Sequence, residues 1–383
     1  MKKIVCLSSS NWYPFPTSKQ EIMQRLSDSE ILYFDPPVTL IAPLKDKSAR
    51  IRLKAYRMEE KRPRPNIYVC ALPPILPFGN RFRIINRINQ CMTARFVRKK
   101  MKAHGFGEES ILWMYLPGHC DIVRKLKVKA KVYTCVDRHS GYKGQINPAL
   151  VDSMEDKLAA SCDAVFTTAK GLYERLSPRN PHTWLVPNGV NYKLFSAAQK
   201  TQAVPEALQG IRGPVIGFIG ALQQCIDYPL LARLAKERPN YTFVFAGREH
   251  PDAEINLIRN LPNVKLLGLL PQTELPAYLA RFDVCLNPFR TGSLSRDVSP
   301  LKFYEYLATG KPIVSTPEPV QVQDFADAVC IAADADEFIR KVDEALNEDT
   351  PERREKRIAY ARACSWDARA EMFEAHLKEC GIF

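Results

Sequence analysis

Short runs rich in β-branched and aromatic residues alternate along the whole chain with stretches of helical spacing, and this alternation admits few folds. In the first half the runs are KKIVCLSS, EILYFDPP, NIYVCALPP, SILWMYLP, AKVYTCVD, DAVFTTA and HTWLVPNG. Strands separated by helices pair in parallel, because each crossover returns the chain to the starting edge of the sheet. A polar stretch from Ser196 to Gly213 interrupts the pattern, which restarts with PVIGFIGAL, YTFVFAG, NVKLLGLL, FDVCLNPF, KPIVST and DAVCIAA. The expected fold is α/β, with two Rossmann-like doubly wound domains at residues 1–195 and 196–350. Residues 351–383 place Ile358, Ala361, Trp366, Met372, Phe373 and Leu377 at helical spacing, and either complete the second domain or cross back to the first.

Composition excludes several classes. With 383 residues, 46% apolar and 25% charged, the chain can bury two cores and is not a disordered polymer. No run of about 18 uncharged apolar residues occurs, and MKKIVCLSSSNWY lacks the apolar stretch of an export signal, so a cytoplasmic location is expected. The eleven cysteines include no CxxC and mostly sit in apolar runs; they read as buried thiols in a reducing compartment. With six scattered histidines besides, no metal site is expected.

The net charge of +13 is unevenly placed, since residues 1–190 carry 32 Lys and Arg against 16 Asp and Glu. A basic first half suits anionic lipid, a phosphorylated substrate or nucleic acid. Residues 80–104 hold eight Lys or Arg and no acid, with Ile85, Ile88, Met92 and Phe96 at spacings of three and four. That spacing predicts a basic amphipathic helix whose apolar stripe packs on the sheet, its basic edge either solvated or lying on lipid headgroups. Residues 45–65 add nine basic and three acidic residues. No RNP, KH or zinc-finger pattern accompanies this charge, so nucleic acid is not an expected partner.

In doubly wound sheets ligands bind beyond the carboxyl ends of strands, which directs attention to the loops there. The first strand ends in SSSNWYPFPTSKQEIMQRL, where Ser9, Asn11 and Trp12 either line an acceptor-side cleft or only cap the next helix; no GxGxxG is present, against a dinucleotide cofactor. AKVYTCVD ends in Asp137, placed to take a proton from a hydroxyl or simply to pair with Arg138 or Lys143; His139 is the reserve base. VIGFIGAL reaches Gly220, where a backbone can approach a ligand closely, and VFAG leads to Arg248, which meets either a phosphate or solvent. In FRTGSLSRDVSPLKFYEYLATGKP a helix opens after Ser299 and Pro300, leaving free amides that attract anions. Lys302 and Glu305 share one face of that helix, an arrangement that suits a diphosphate and sugar hydroxyls, or a plain ion pair.

The segments VPNGVNYKLF, IGFIGAL, YTFVFAG, NVKLLGLLPQTELPAYLARFDVCLNPF and SPLKFYEYLATGKPIVSTP follow the order and spacing of GT-B fold enzymes. The chain resembles the bacterial glycosyltransferases of the teichuronic-acid and exopolysaccharide type. The resemblance implies two Rossmann-like domains facing each other across a cleft, with transfer from a nucleotide-sugar donor to a lipid-linked saccharide acceptor. It implies a donor site at Gly220, Ser299, Leu301, Lys302 and Glu305, a base at Asp137, and no cofactor or metal; Arg248 as a further donor contact and His139 as reserve base come from their loop positions. Together with the basic segments 45–65 and 80–104, this reading leads to an expected peripheral association with the inner face of an anionic membrane. Two departures stand out: Asp297 occupies the position where many retaining relatives have Glu, and GALQQCID replaces the Arg and Lys that often follow the first glycine. Phosphate neutralisation is then expected from Lys302, helped by Arg248, Arg290 or Arg296, and the stereochemical course stays open. A sugar-nucleotide epimerase and a non-catalytic partner subunit of a transferase are the alternative readings.

Overall fold

The computed structural model describes all residues of the chain except Lys45, Lys47, Ser48, Lys143, Gln145, Ser293 and Leu294, so part of the basic segment 45–65 lies outside the described residues. The chain forms two compact units, Met1–Pro187 with Arg369–Phe383, and Asn188–Ala368.

The first unit is built on an eight-stranded sheet: β1 (Lys2–Leu7), β2 (Ser29–Asp35), β3 (Lys61–Arg64), β4 (Ile67–Ala71), β5 (Ile111–Met114), β6 (Ala130–Cys135), β7 (Ala164–Thr167) and β8 (Thr183–Leu185). The order is β3-β4-β2-β1-β5-β6-β7-β8, parallel except for β3. β1 is central; Ile4 pairs with Ile31 on one side and Ile111 on the other, so the winding direction reverses around it. One face of the sheet buries Val5, Leu7, Leu32 and Phe34 with Ala94, Val97 and Met101 of the helix Arg83–Ala103 and Met154 and Leu158 of the helix Pro148–Ala159. On the other, Trp113 and Phe166 pack on Phe373, with ring centroids 5.5 and 4.4 Å apart, from the terminal helix Trp366–Glu379. Ser27 adds two hydrogen bonds to Glu374, at 2.6 and 2.9 Å. The terminal helix thus covers aromatic surface that would otherwise meet water.

The helix Arg83–Ala103 differs from its sequence expectation. Its inward face carries Asn86, Asn89, Gln90 and Thr93 before turning apolar at Ala94, Val97 and Met101. Ile84, Ile88 and Met92 are exposed on the outer side. Asn86 and Asn89 bond loop backbone, a demand that apolar periodicity alone does not register.

The second unit has a six-stranded, wholly parallel sheet of β9 (Val215–Ile219), β10 (Thr242–Ala246), β11 (Val264–Gly268), β12 (Val284–Asn287), β13 (Ile313–Ser315) and β14 (Cys330–Ile331), in the order β11-β10-β9-β12-β13-β14. Two cores cover its faces, one with Ile219, Val244, Tyr306 and Leu307, the other with Ile216, Phe243, Leu231 and Phe338. The unit begins at Asn188 rather than Ser196 because Phe195 and Ala198 belong to its core and Asn188 hydrogen-bonds Ser299. Of the segment 351–383, the helix Pro351–Ala363 stays in this unit through Arg357, which is buried against Asp349 at 2.5 Å and donates to the carbonyls of Gly310 and Ala328. All eleven cysteines are free, and no helix among the described residues is long and apolar enough to cross a membrane.

Candidate functional site

In the first unit the loops beyond β5 and β6 and the helix Ser18–Met23 gather one group of side chains. Asp137 lies two residues past β6 and is partly exposed. Its carboxylate engages the Tyr142 hydroxyl, whose pKa burial and this carboxylate push up. Arg138 turns away to Asp152 at 3.4 Å and Ser140 at 2.9 Å, so it is not the partner of Asp137; Lys143 lies outside the described residues. Lys19 stands over the Tyr115 ring at 5.9 Å, and burial lowers its pKa, an effect Asp137 opposes. His139 is brought beside Asp137 and is held down to about 4 by burial, with Asp137 acting in the opposite sense and Lys19 reinforcing the depression. At neutral pH its imidazole is uncharged and able to accept a proton.

Asn86, Asn89 and Gln90 help line a cavity of about 430 Å³, together with the loops after β2, β4, β5 and β6. Asn89 closes a two-way amide pair on Leu76, at 2.9 Å each way, and Asn86 donates to the Gly118 carbonyl at 2.9 Å. His119 and His139 line the same cavity. His119 is driven down to about 3 by burial and by its neighbour His139. Three buried polar atoms of this lining, His119 Nδ1, His139 Nε2 and Gln90 Oε1, have no hydrogen-bond partner in the protein. Leaving such a group unmatched costs about 1–3 kcal/mol.

The first loop is more scaffold than surface at Trp12. That residue is 8% exposed, its N–H donates to Asp35 at 2.7 Å, and its ring meets Tyr33 edge-on at 4.9 Å. Asn11 gives its carbonyl to Gln20 at 3.0 Å, whereas Ser9 is partly exposed. Burial raises Asp35 to about 6.

In the second unit the loops after β9 and β10 are zippered by Leu222 N–H to the Arg248 carbonyl at 2.9 Å and His250 N–H to the Leu222 carbonyl at 2.8 Å. This sets the exposed Arg248 beside the loop that follows Gly220. Gly247 has φ +157°, and a Cβ there would stand 1.7 Å from the Gly220 carbonyl oxygen. A Cβ on Gly220 would stand 2.8 Å from the Phe218 ring and 3.5 Å from Lys302 Cγ, so Gly220 and Lys302 are neighbours. The helix Leu301–Thr309 starts at Pro300, without a side-chain cap, and Leu301 is exposed beside its open amides. The Ser299 side chain is buried and its hydroxyl is already engaged, accepting from Asn188 N–H at 3.1 Å. Lys302 Nζ lies 3.0 Å from Glu305 Oε2, and burial raises the Glu305 pKa despite that ammonium. Arg290 is tied to Glu254 at 2.6 Å, and Arg296 is exposed.

Sequence reasoning missed Lys19, Tyr142, His119 and Gln90. His119 was within reach of the rule that ligands gather after strand ends, since it follows SILWMYLP. Gln90 carried no signal, being one amide on a helix read for its apolar period. Among the described residues no group of three His, Cys, Asp or Glu side chains is placed to hold a metal ion.

Residues 213–348 match the family model "Glycosyl transferases group 1". The chain is 27% identical over 293 residues, 72% of its length and 73% of the relative's, to TuaH of Bacillus subtilis (strain 168), named as a candidate teichuronic acid biosynthesis glycosyltransferase. Among solved structures it is similar to a sucrose-phosphate synthase from Thermosynechococcus elongatus (TM-score 0.71, 15% identity, 99% of each chain). It is also similar to an E. coli trehalose-6-phosphate protein bound with UDP-2-fluoro glucose (TM-score 0.72, 13% identity, 99% of each chain). At these identities the solved structures establish the fold, which is GT-B.

Proposed function

We propose that this chain, a glycosyltransferase of the GT-B fold whose residues 213–348 carry the group 1 family match, moves a sugar from a nucleotide-sugar donor to a saccharide acceptor carried on a lipid. The observation that carries the donor side is the grouping of Gly220, Gly247 and Lys302 beside an open helix start. Lys302 and the first amides of the helix hold the diphosphate, with Arg248 as the nearby second cation. Glu305 accepts from sugar or ribose hydroxyls once Lys302 is drawn to phosphate. A relative in the fold binds UDP-2-fluoro glucose, consistent with a nucleotide-sugar donor. The negative charge of the leaving diphosphate is balanced by these groups, and no metal is assigned to the step.

On the acceptor side Asp137 takes the proton from the attacking hydroxyl, with His139 as the second candidate base. Tyr142 holds the Asp137 carboxylate by a hydrogen bond, and the Lys19 ammonium acts on it through space. The lipid portion of the acceptor is read from the outer face of the helix Arg83–Ala103. Ile84, Ile88 and Met92 are exposed there, on a helix that also exposes Arg87, Arg95, Lys99 and Lys102, and anionic headgroups complement this charge at about 1 kcal/mol per basic residue. The protein then works at an anionic bilayer in building cell-surface polysaccharide.

The test is incubation with a panel of nucleotide sugars, with and without polyprenyl-diphosphate saccharides in anionic vesicles. Release of nucleoside diphosphate with growth of the lipid-linked glycan is the expected result. Conversion of a nucleotide sugar without acceptor would favour an epimerase. Donor binding without transfer, unless a partner protein is added, would favour a non-catalytic subunit.

A further inference from the structure

We infer that Gln272 is a positioning residue of the donor site: its amide holds the Glu305 carboxylate for the ribose hydroxyls of the nucleotide once the diphosphate draws Lys302 away. The inference rests on the transferase reading of the second unit and adds a residue to its donor side. Gln272 lies in the turn between β11 (Val264–Gly268) and the helix Leu275–Arg281. That turn shares a rim with the diphosphate candidates. Gly247 N–H donates to the Gly268 carbonyl at 2.7 Å, and Gly220 N–H donates to the Ala246 carbonyl at 2.9 Å. The ends of β9, β10 and β11 are thereby laced together, with Lys302 standing against Gly220.

Two side chains engage the buried Glu305 carboxylate. Lys302 Nζ stands 3.0 and 3.1 Å from its oxygens, and the Gln272 amide donates a hydrogen bond to it. Burial pushes the Glu305 pKa up, and Lys302 and Gln272 both act to hold it down. A diphosphate treats these two partners differently. The Lys302 ammonium is a point charge on a flexible, partly exposed stem, and phosphate attracts it. The Gln272 amide has no net charge for phosphate to draw away, so it stays on the carboxylate. Without it, the departing lysine would strand a buried charge, which the fold disfavours. With it, the carboxylate keeps one fixed donor and still has lone pairs for the two adjacent ribose hydroxyls. An acceptor fixed in advance also lowers the entropy cost of binding.

The experiment is calorimetry on the full-length chain and its Gln272→Leu variant, which removes the donor at similar size. The probes are UDP, GDP and ADP, the dideoxy analogue of each, which lacks both ribose hydroxyls, and inorganic pyrophosphate, which reports the diphosphate position alone. The unaltered chain should bind at least one ribonucleotide about tenfold more tightly than its dideoxy analogue. Gln272→Leu should weaken that ribonucleotide about tenfold and change the dideoxy analogue and pyrophosphate by less than about twofold, so that the preference for ribose disappears. A merely structural role would weaken all three probes together, and that result overturns the inference. So does unchanged ribonucleotide binding in the variant, or an unaltered chain with no preference for ribose. In each of these cases the donor side of the transferase reading survives if the unaltered chain still binds a nucleoside diphosphate and pyrophosphate. If it binds no nucleoside diphosphate at all, the donor side fails and the inference fails with it.

Discussion

Lys302 Nζ lies 3.0 Å from one oxygen of Glu305 and 3.1 Å from the other, one helical turn apart on the helix Leu301–Thr309. The pair is asymmetric: the carboxylate is buried and the lysine side chain is about one-third exposed. Without a ligand, the cation assigned to the diphosphate is therefore occupied, and donor binding has to compete with Glu305 for it.

Removal of Lys302 consequently does two things at once. Lys302→Ala leaves a buried carboxylate unpaired, and about 1–3 kcal/mol of stability should go with it, less than the ~3–5 of a fully buried pair because the ammonium is partly solvated. The geometry thus predicts a measurable loss of stability beside the loss of diphosphate binding. The double variant Lys302→Met with Glu305→Gln should recover the stability in urea titrations but not nucleoside-diphosphate binding by calorimetry. If the double variant binds as the unaltered chain does, Lys302 has no diphosphate role.

Asp137→Asn keeps the size of the side chain and removes its charge. Transfer should fall by about 10²-fold or more, the range for loss of a general base, with nucleoside-diphosphate affinity unchanged. The same variant should raise the fraction of neutral Lys19, because burial lowers that amine and Asp137 opposes the shift. Transfer at full rate would move the base to His139.

The strand runs of both units were legible because fully buried parallel strands read as continuous apolar segments, as VYTC and FVFA do here at Val132–Cys135 and Phe243–Ala246. The helix Arg83–Ala103 was legible in extent but not in orientation. Its apolar period was read as the core face, whereas Asn86 and Asn89 face inward to bind loop backbone and Ile88 and Met92 face out. Ser299 was legible as a residue before a helix, yet its hydroxyl is spent on Asn188, more than a hundred positions away, a pairing no local pattern encodes. Lys19 and Asp137 likewise come within electrostatic reach of one another because the central strand and β6 end on the same side of the sheet.

Asp35 gives a pH dependence with a definite sign. Its folded pKa is raised to about 6 by burial, with the Trp12 N–H, Lys61 and Arg52 pulling it down. The native state therefore holds this proton more tightly than the unfolded chain, whose Asp titrates near 3.9. Its contribution to stability is full below about pH 4 and is lost as the pH rises through about 6. Asp35→Asn should be more stable than the unaltered chain at pH 7.5, by no more than about 3 kcal/mol, and the difference should vanish on acidification to pH ~4. Chemical denaturation at the two pH values checks it; an Asn variant less stable at pH 7.5 would show that the Asp35 charge is favourable in the fold.

Arg357 tests what keeps the candidate donor helix in position. Its guanidinium is buried, pairs with Asp349 at 2.5 Å, and donates to the carbonyl of Gly310, the residue at φ +72° that ends the helix Leu301–Thr309. Truncation to Ala strands Asp349 and unsatisfies the Gly310 and Ala328 carbonyls, for an expected loss of about 3–5 kcal/mol. Arg357→Lys keeps the charge but not the forked donors, so it should recover only part of that loss. Because Arg357 sits at the far end of the helix from Leu301, any folded fraction of either variant should still bind nucleoside diphosphate. Thermal melts with and without nucleoside diphosphate separate the two effects: a lowered midpoint with an intact ligand-induced rise is the expected result, and a lost rise would make Arg357 part of the binding geometry.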